Sequence, residues 1–127
     1  MARIVVIEDD LELRRILVKG CAAAGHEVME ASNGARALEL LAEKRVDLVI
    51  TDIHMPTMDG IEVINLLRDA EAAPRILAIS GGWRARPARE VLMDADLLGA
   101  DRILKKPFTL KELRTYVDEL LDDSGQG

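Results

Sequence analysis

Short, continuous apolar segments alternate along the chain with longer segments in which apolar residues recur at helical spacing. Five short apolar segments have the length of β-strands: 4–7, 26–31, 46–51, 75–79 and 101–104. Between them, apolar residues recur at helical spacing, as Leu13, Leu17 and Cys21 do after the first segment. This alternation predicts five β-α units.

Turn and cap residues mark the element boundaries. Ser32-Asn33-Gly34 precedes a predicted second helix, and Thr109 with Glu112 forms a capping box before the last one. A helix is predicted over 88–98, ending at Gly99. The residues 123–127 are expected to form a frayed tail.

Repeated β-α units favour an α/β fold with a parallel sheet covered by helices on both faces. Right-handed crossovers favour a three-layer α/β/α, doubly wound (βα)5 architecture with the flavodoxin-like strand order 2-1-3-4-5. We expect one domain over 1–122 and no output domain in this sequence.

Composition narrows the range of partners. The net charge of −6 disfavours nucleic-acid binding. No apolar run reaches the roughly 20 residues that a membrane-spanning helix needs, and the start leads directly into a strand without a signal peptide. A single cysteine fits a reducing, cytoplasmic location.

Polar residues stand where the predicted strands end. Glu8 and Asp9 follow the first strand, Asp52 the third, Ser80 the fourth, and Lys106 the fifth. Parallel strands share one carboxyl edge, so these groups should converge on one crevice. Carboxylates with a hydroxyl and an amine suit a divalent cation and a phosphoryl group.

Each signal also has an ordinary explanation. Acids at 8–10 favour a helix N-terminus, and Asp10 is expected to act as the cap. The alternatives are that Asp52 begins a turn, that Ser80 is an ordinary strand-end serine, and that Lys106 is a solvated surface lysine, as is expected for Lys105. A cis peptide bond before Pro107 cannot be deduced from sequence.

The joint pattern closely resembles the receiver domain of bacterial two-component response regulators, the CheY-like fold. The resemblance covers essentially the whole chain and rests on these segments in order: Glu8-Asp9, Asp52 with Met55-Pro56, Ser80, Gly99-Ala100-Asp101 and Lys106-Pro107-Phe108.

The resemblance implies that Asp52 accepts a phosphoryl group from a phosphohistidine of a partner kinase or phosphotransfer protein. Mg²⁺ would be held by Glu8, Asp9, Asp52 and the backbone carbonyl of His54. Ser80 and Lys106 would contact phosphoryl oxygens. The domain would be a signalling switch with slow autodephosphorylation, not an enzyme of metabolism.

The resemblance also implies how the signal leaves the domain. Ser80 and the position of Ile103 would form the switch, and a downstream protein would bind the face of the fourth helix, fifth strand and fifth helix. Ile103 stands where the family has an aromatic residue, so coupling would be weaker or differently carried. His54 and Gly82 would tune phosphoryl lifetime, although His54 pointing to solvent is an equal alternative.

Other classes fit less well. A haloacid-dehalogenase-type hydrolase expects Asp-x-Asp after its first strand, and a flavodoxin-like cofactor binder needs a phosphate-cradling loop where Glu8-Asp9-Asp10 would repel phosphate. The main alternative is a degenerate receiver that acts as a constitutive interaction module. Trp83 is either a partner anchor on its loop or a cover for the fourth helix.

Overall fold

The fold is a five-stranded parallel sheet with helices on both faces. The computed structural model describes residues 2–53, 60–68, 73–80 and 99–126. In this part of the chain the elements are, in order, β1 (Arg3–Ile7), α1 (Leu11–Ala23), β2 (Glu27–Ala31), α2 (Gly34–Glu43), β3 (Leu48–Asp52), α3 (Gly60–Arg68), β4 (Arg75–Ser80), β5 (Arg102–Lys105) and α4 (Leu110–Gln126). The helix predicted over 88–98 lies outside these ranges.

The strand order is β2-β1-β3-β4-β5, and every neighbouring pair is parallel. The predicted α/β class and order 2-1-3-4-5 are therefore confirmed. β1 and β3 lie at the centre, which places the residues after these two strands side by side at the carboxyl edge.

Each central strand contributes side chains to two hydrophobic clusters. In β1, Ile4 and Val6 pack with α1 and the C-terminal helix α4, whereas Val5 and Ile7 pack with α2 and α3. Successive residues of a strand point to opposite faces. Because both faces of the strand are covered, its side chains from Ile4 to Ile7 are all in apolar surroundings, which explains this continuous apolar run.

The helix ends follow the expected local chemistry. Asp10 caps α1 by accepting hydrogen bonds from the N–H groups of Glu12 and Leu13. Thr109 and Glu112 form the predicted capping box, with the Thr109 N–H donating to Glu112 Oε1 and the Glu112 N–H donating to Thr109 Oγ1.

One boundary differs from the prediction. The C-terminal helix continues to Gln126, so residues 123–126 are helical rather than a frayed tail. The preceding turns are docked through the buried residues Val117 and Leu120. Each further helical residue then costs the conformational entropy of one residue and gains one hydrogen bond.

Candidate metal and phosphoryl site

The site lies at the carboxyl edge of the two central strands. Glu8 follows β1, and its N–H donates to the Ala31 carbonyl over 3.0 Å. Asp52 ends β3, and the N–H of the next residue, Ile53, donates to the Ile79 carbonyl over 3.0 Å. These backbone bonds fix the exit directions of both strands, so the two acids face the same space.

Three carboxyl groups converge there. Glu8 is 1% exposed, Asp52 is 7% exposed and Asp9 is exposed to solvent. One oxygen from each lies within 4.8 Å of the other two. Like charges this close repel one another, and a hard cation with oxygen ligands relieves that repulsion.

The two oxygens of the Glu8 carboxyl group differ in their hydrogen bonding. Oε2 accepts a hydrogen bond from the Asp10 N–H over 3.2 Å. Oε1 is fully buried and accepts no hydrogen bond from the described residues. A buried oxygen of this kind is costly unless something binds it. The donor set therefore fits Mg²⁺.

Lys106 supplies the positive charge of the site. Its Nζ lies 2.9 Å from Asp52 Oδ2 and 3.7 Å from Glu8 Oε1. Burial acts to lower the pKa of Lys106, but the hydrogen bonds and charges of Asp52 and Glu8 outweigh it and raise that pKa. The side chain is therefore a charged ammonium group directed at the acids. The Lys106–Pro107 peptide bond is cis.

The environment of Glu8 disfavours its ionised form. Burial in the first place, together with the neighbouring Asp52 and Asp9 carboxyl groups, raises the pKa of Glu8 to about 8. The hydrogen bond from the Asp10 backbone acts in the opposite direction. A bound cation would favour the carboxylate instead.

Two supporting residues escaped sequence reasoning. Thr51 is fully buried, and its hydroxyl donates to the Asp52 carbonyl over 3.0 Å. Arg14 Nη1 donates to the Glu8 carbonyl over 2.9 Å. A hydroxyl inside an otherwise apolar strand was a signal for Thr51. No signal in the sequence pairs Arg14 with a carbonyl of the acidic loop.

The other predicted site residues are described only in part. Ser80 ends β4 opposite Lys105 of β5, and its side chain is not described. Ile103 is partly buried and packs against the cluster on the α2 and α3 face. His54, Gly82 and Trp83 lie outside the described ranges, as do Met55 and Pro56.

Comparison with known families agrees with this geometry. The sequence model of the protein family described as the response regulator receiver domain matches residues 4–118. This chain belongs to that family. Receiver domains are phospho-acceptor switches rather than enzymes of metabolism, and they bind Mg²⁺ at an acidic pocket. This receiver domain has an acidic cluster of Glu8, Asp9 and Asp52.

This chain matches nearly the whole length of one relative and about half the length of another. The response regulator receiver protein CpdR of Brucella abortus (strain 2308) is 37% identical over 121 residues, covering 95% of this chain and 98% of CpdR. The transcriptional regulatory protein PrrA of Mycobacterium tuberculosis is 35% identical over 123 residues, which is 97% of this chain and 51% of PrrA. The receiver chain thus spans about half of PrrA.

Two further similarities concern a kinase and a solved structure. A segment amounting to 13% of the sensor kinase CckA of Brucella abortus is 34% identical to this receiver chain. The structure of the Vibrio cholerae chemotaxis protein CheY4 has a TM-score of 0.86 with 27% identity, covering 95% of this chain and 99% of CheY4. Within the described ranges, no helix has both the length and the apolar character to cross a membrane.

Proposed function

We propose that this receiver domain, over residues 1–122, accepts a phosphoryl group on Asp52 from a phosphohistidine of a partner kinase or phosphotransfer protein. The observation that carries this proposal is the contact of 2.9 Å between Lys106 Nζ and Asp52 Oδ2 beside two further carboxyl groups. A strand-end carboxylate held next to an ammonium group and a cation site is placed for attack on phosphorus.

The residues of the site have distinct roles in the proposed reaction. An Asp52 oxygen is the nucleophile, and the bond from phosphorus to the donor nitrogen breaks as the acyl phosphate forms. Glu8 and Asp9 would hold Mg²⁺ together with Asp52 and the His54 carbonyl. When bound, Mg²⁺ neutralises charge on the phosphoryl oxygens. Lys106 contributes its positive charge to the same oxygens.

The remaining roles are proposed from the resemblance to receiver domains. Ser80 ends the strand next to Asp52 and is proposed to donate its hydroxyl to the phosphoryl group. His54 and Gly82 are proposed to set how fast water hydrolyses the acyl phosphate. The signal would pass to a downstream protein in the cytoplasm through the face that includes β5 and the C-terminal helix. Because Ile103 has no ring to turn, Ser80 would carry most of the coupling.

Phosphorylation by a small donor tests the proposal. The protein is incubated with acetyl phosphate and Mg²⁺, and intact-mass spectrometry counts phosphoryl groups. We expect one phosphoryl group on the parent. The control variant Asp118→Asn, which removes an exposed carboxylate from the C-terminal helix, should also receive one. Asp52→Asn and removal of Mg²⁺ should each abolish it. Equal labelling of Asp52→Asn would contradict the acceptor, and no labelling of the parent would favour a degenerate receiver.

A further inference from the structure

The loop that carries the acids is fixed on both sides of Asp9. Before Asp9, the Glu8 N–H donates to the Ala31 carbonyl of β2, and the Glu8 carbonyl accepts from Arg14 Nη1 over 2.9 Å. After Asp9, the Asp10 carbonyl accepts from the Arg14 N–H over 2.9 Å. The bond to the Asp10 carbonyl is the first hydrogen bond of α1 to its cap residue and does not depend on the identity of residue 14. The specific contact of Arg14 with the loop is the one from its side chain to the Glu8 carbonyl.

The guanidinium group is itself held in place. Arg14 Nε donates to Glu30 Oε1 over 3.0 Å, and the Arg14 side chain is only 15% exposed. Glu30 belongs to β2 and is 52% exposed. The rigid fork of donors lets one arginine bind a carboxylate and a carbonyl in different directions at once. Through this fork, α1 and β2 jointly determine where the Glu8 carbonyl points.

We infer that Arg14 is a positioning residue for the divalent-cation site, which rests on the proposed function of that site. The Glu8 carbonyl it holds belongs to the residue whose buried Oε1 has no hydrogen-bond donor among the described residues. Asp9, the next ligand, lies between the two loop carbonyls that Arg14 binds. Groups that orient metal ligands without touching the metal commonly change affinity by about 10–100-fold when removed.

The sign of the effect separates positioning from simple electrostatics. Removing a positive charge near three carboxyl groups should strengthen the binding of a cation. Removing the group that holds the Glu8 carbonyl, and with it the loop that carries Glu8 and Asp9, should weaken it. Arg15 is a matched control because it is the adjacent residue of α1, is exposed, and carries the same charge. Arg15→Met changes the net charge of the protein as Arg14→Met does, without touching the loop.

Isothermal titration calorimetry with Mg²⁺ alone tests the inference on the full chain. We expect Arg14→Met to raise the Kd for Mg²⁺ by about tenfold. Arg15→Met should leave it unchanged or lower it slightly, because an exposed charge is largely screened. Arg14→Lys retains the charge but has a single donor group, so it should resemble Arg14→Met.

Several results would overturn the inference. These are unchanged or tighter Mg²⁺ binding by Arg14→Met, equal weakening by Arg15→Met, or full recovery in Arg14→Lys. If Arg14→Met fails to fold by circular dichroism, Arg14→Lys carries the test with the same expected loss. A parent protein that binds no Mg²⁺ would refute the cation site and the inference together, whereas a binding parent with a normal Arg14→Met refutes the inference alone.

Discussion

At the scale of single residues, Glu8 and Thr51 make opposite contributions to stability. Glu8 brings a carboxyl group into the interior with one oxygen lacking a hydrogen bond, whereas the buried Thr51 hydroxyl is satisfied by the Asp52 carbonyl. The first arrangement stores repulsion that a cation relieves, and the second fixes the backbone of the acceptor. Both effects are measurable in the metal-free protein.

Glu8→Gln should stabilise the protein in metal-free buffer, by an amount that increases with pH. The pKa of Glu8 is about 8 in the folded state against an ordinary value of 4.5, so between these values the folded state binds more protons than the unfolded state. Stability of the parent therefore falls as pH rises through this range. Glutamine removes that dependence and should raise the free energy of unfolding by on the order of 1 kcal/mol or more at pH 8.

Urea unfolding of both proteins at pH 5 and pH 8 checks this expectation. A difference in free energy of unfolding that is the same at both pH values would contradict the assigned burial of Glu8. Asp9→Asn is the matched variant, because it removes an exposed carboxylate from the same loop.

Thr51→Val should lower the free energy of unfolding by about 1 kcal/mol, because it removes the buried hydrogen bond from the Thr51 hydroxyl to the Asp52 carbonyl. Thr115→Val is the control. Its hydroxyl also donates to a backbone carbonyl, that of Lys111 over 2.9 Å, but on the exposed side of the C-terminal helix. Water replaces that donor, so the control should change little. Equal losses in chemical denaturation would contradict a special role for Thr51.

At the scale of elements, the predictable and unpredictable features have different physical origins. Apolar runs and cap residues such as Asp10 and Thr109 act locally, so the elements and most of their ends follow from the sequence. The end of the C-terminal helix was mispredicted because docking of earlier turns overrides the weak local preference of 123–126. Gly25 follows α1 and Gly99 precedes β5. Both have positive φ, but their tertiary surroundings differ, so the same substitution should have different effects at the two positions.

Gly99→Ala should destabilise the protein more than Gly25→Ala. Both glycines have positive φ, 108° and 93° respectively, which disfavours alanine. A Cβ on Gly99 would meet the outer part of the Arg68 side chain, which would have to move aside, whereas a Cβ on Gly25 would meet no atom of the described residues within 4 Å. We expect a loss of about 1 kcal/mol for Gly25→Ala and more for Gly99→Ala.

Repeating both substitutions in an Arg68→Ala background isolates the contact. The excess loss of Gly99→Ala should disappear there, because the crowding side chain is gone. An excess that persists in thermal and chemical unfolding would show that backbone conformation alone, and not Arg68, limits this turn.

At the scale of the whole molecule, strand order converts separate polar residues into one site. The sequence places Glu8 and Asp52 at strand ends, and the order β2-β1-β3-β4-β5 makes those strands neighbours. This much was predictable from the alternation of elements. The support from Arg14 and Glu30 was not, because their hydrogen bonds depend on how α1 packs against β2 and have no local signature.

The central claim is that Asp52 carries the phosphoryl group. The most direct measurement is transfer from a phosphorylated histidine kinase in the presence of Mg²⁺, followed by borohydride reduction of the acyl phosphate and peptide mass mapping. We predict reduction at Asp52 and at no other carboxyl group, with none when Mg²⁺ is chelated. Modification of a different aspartate or glutamate, or an unmodified Asp52 after the kinase has lost its phosphate to the protein, would contradict the account.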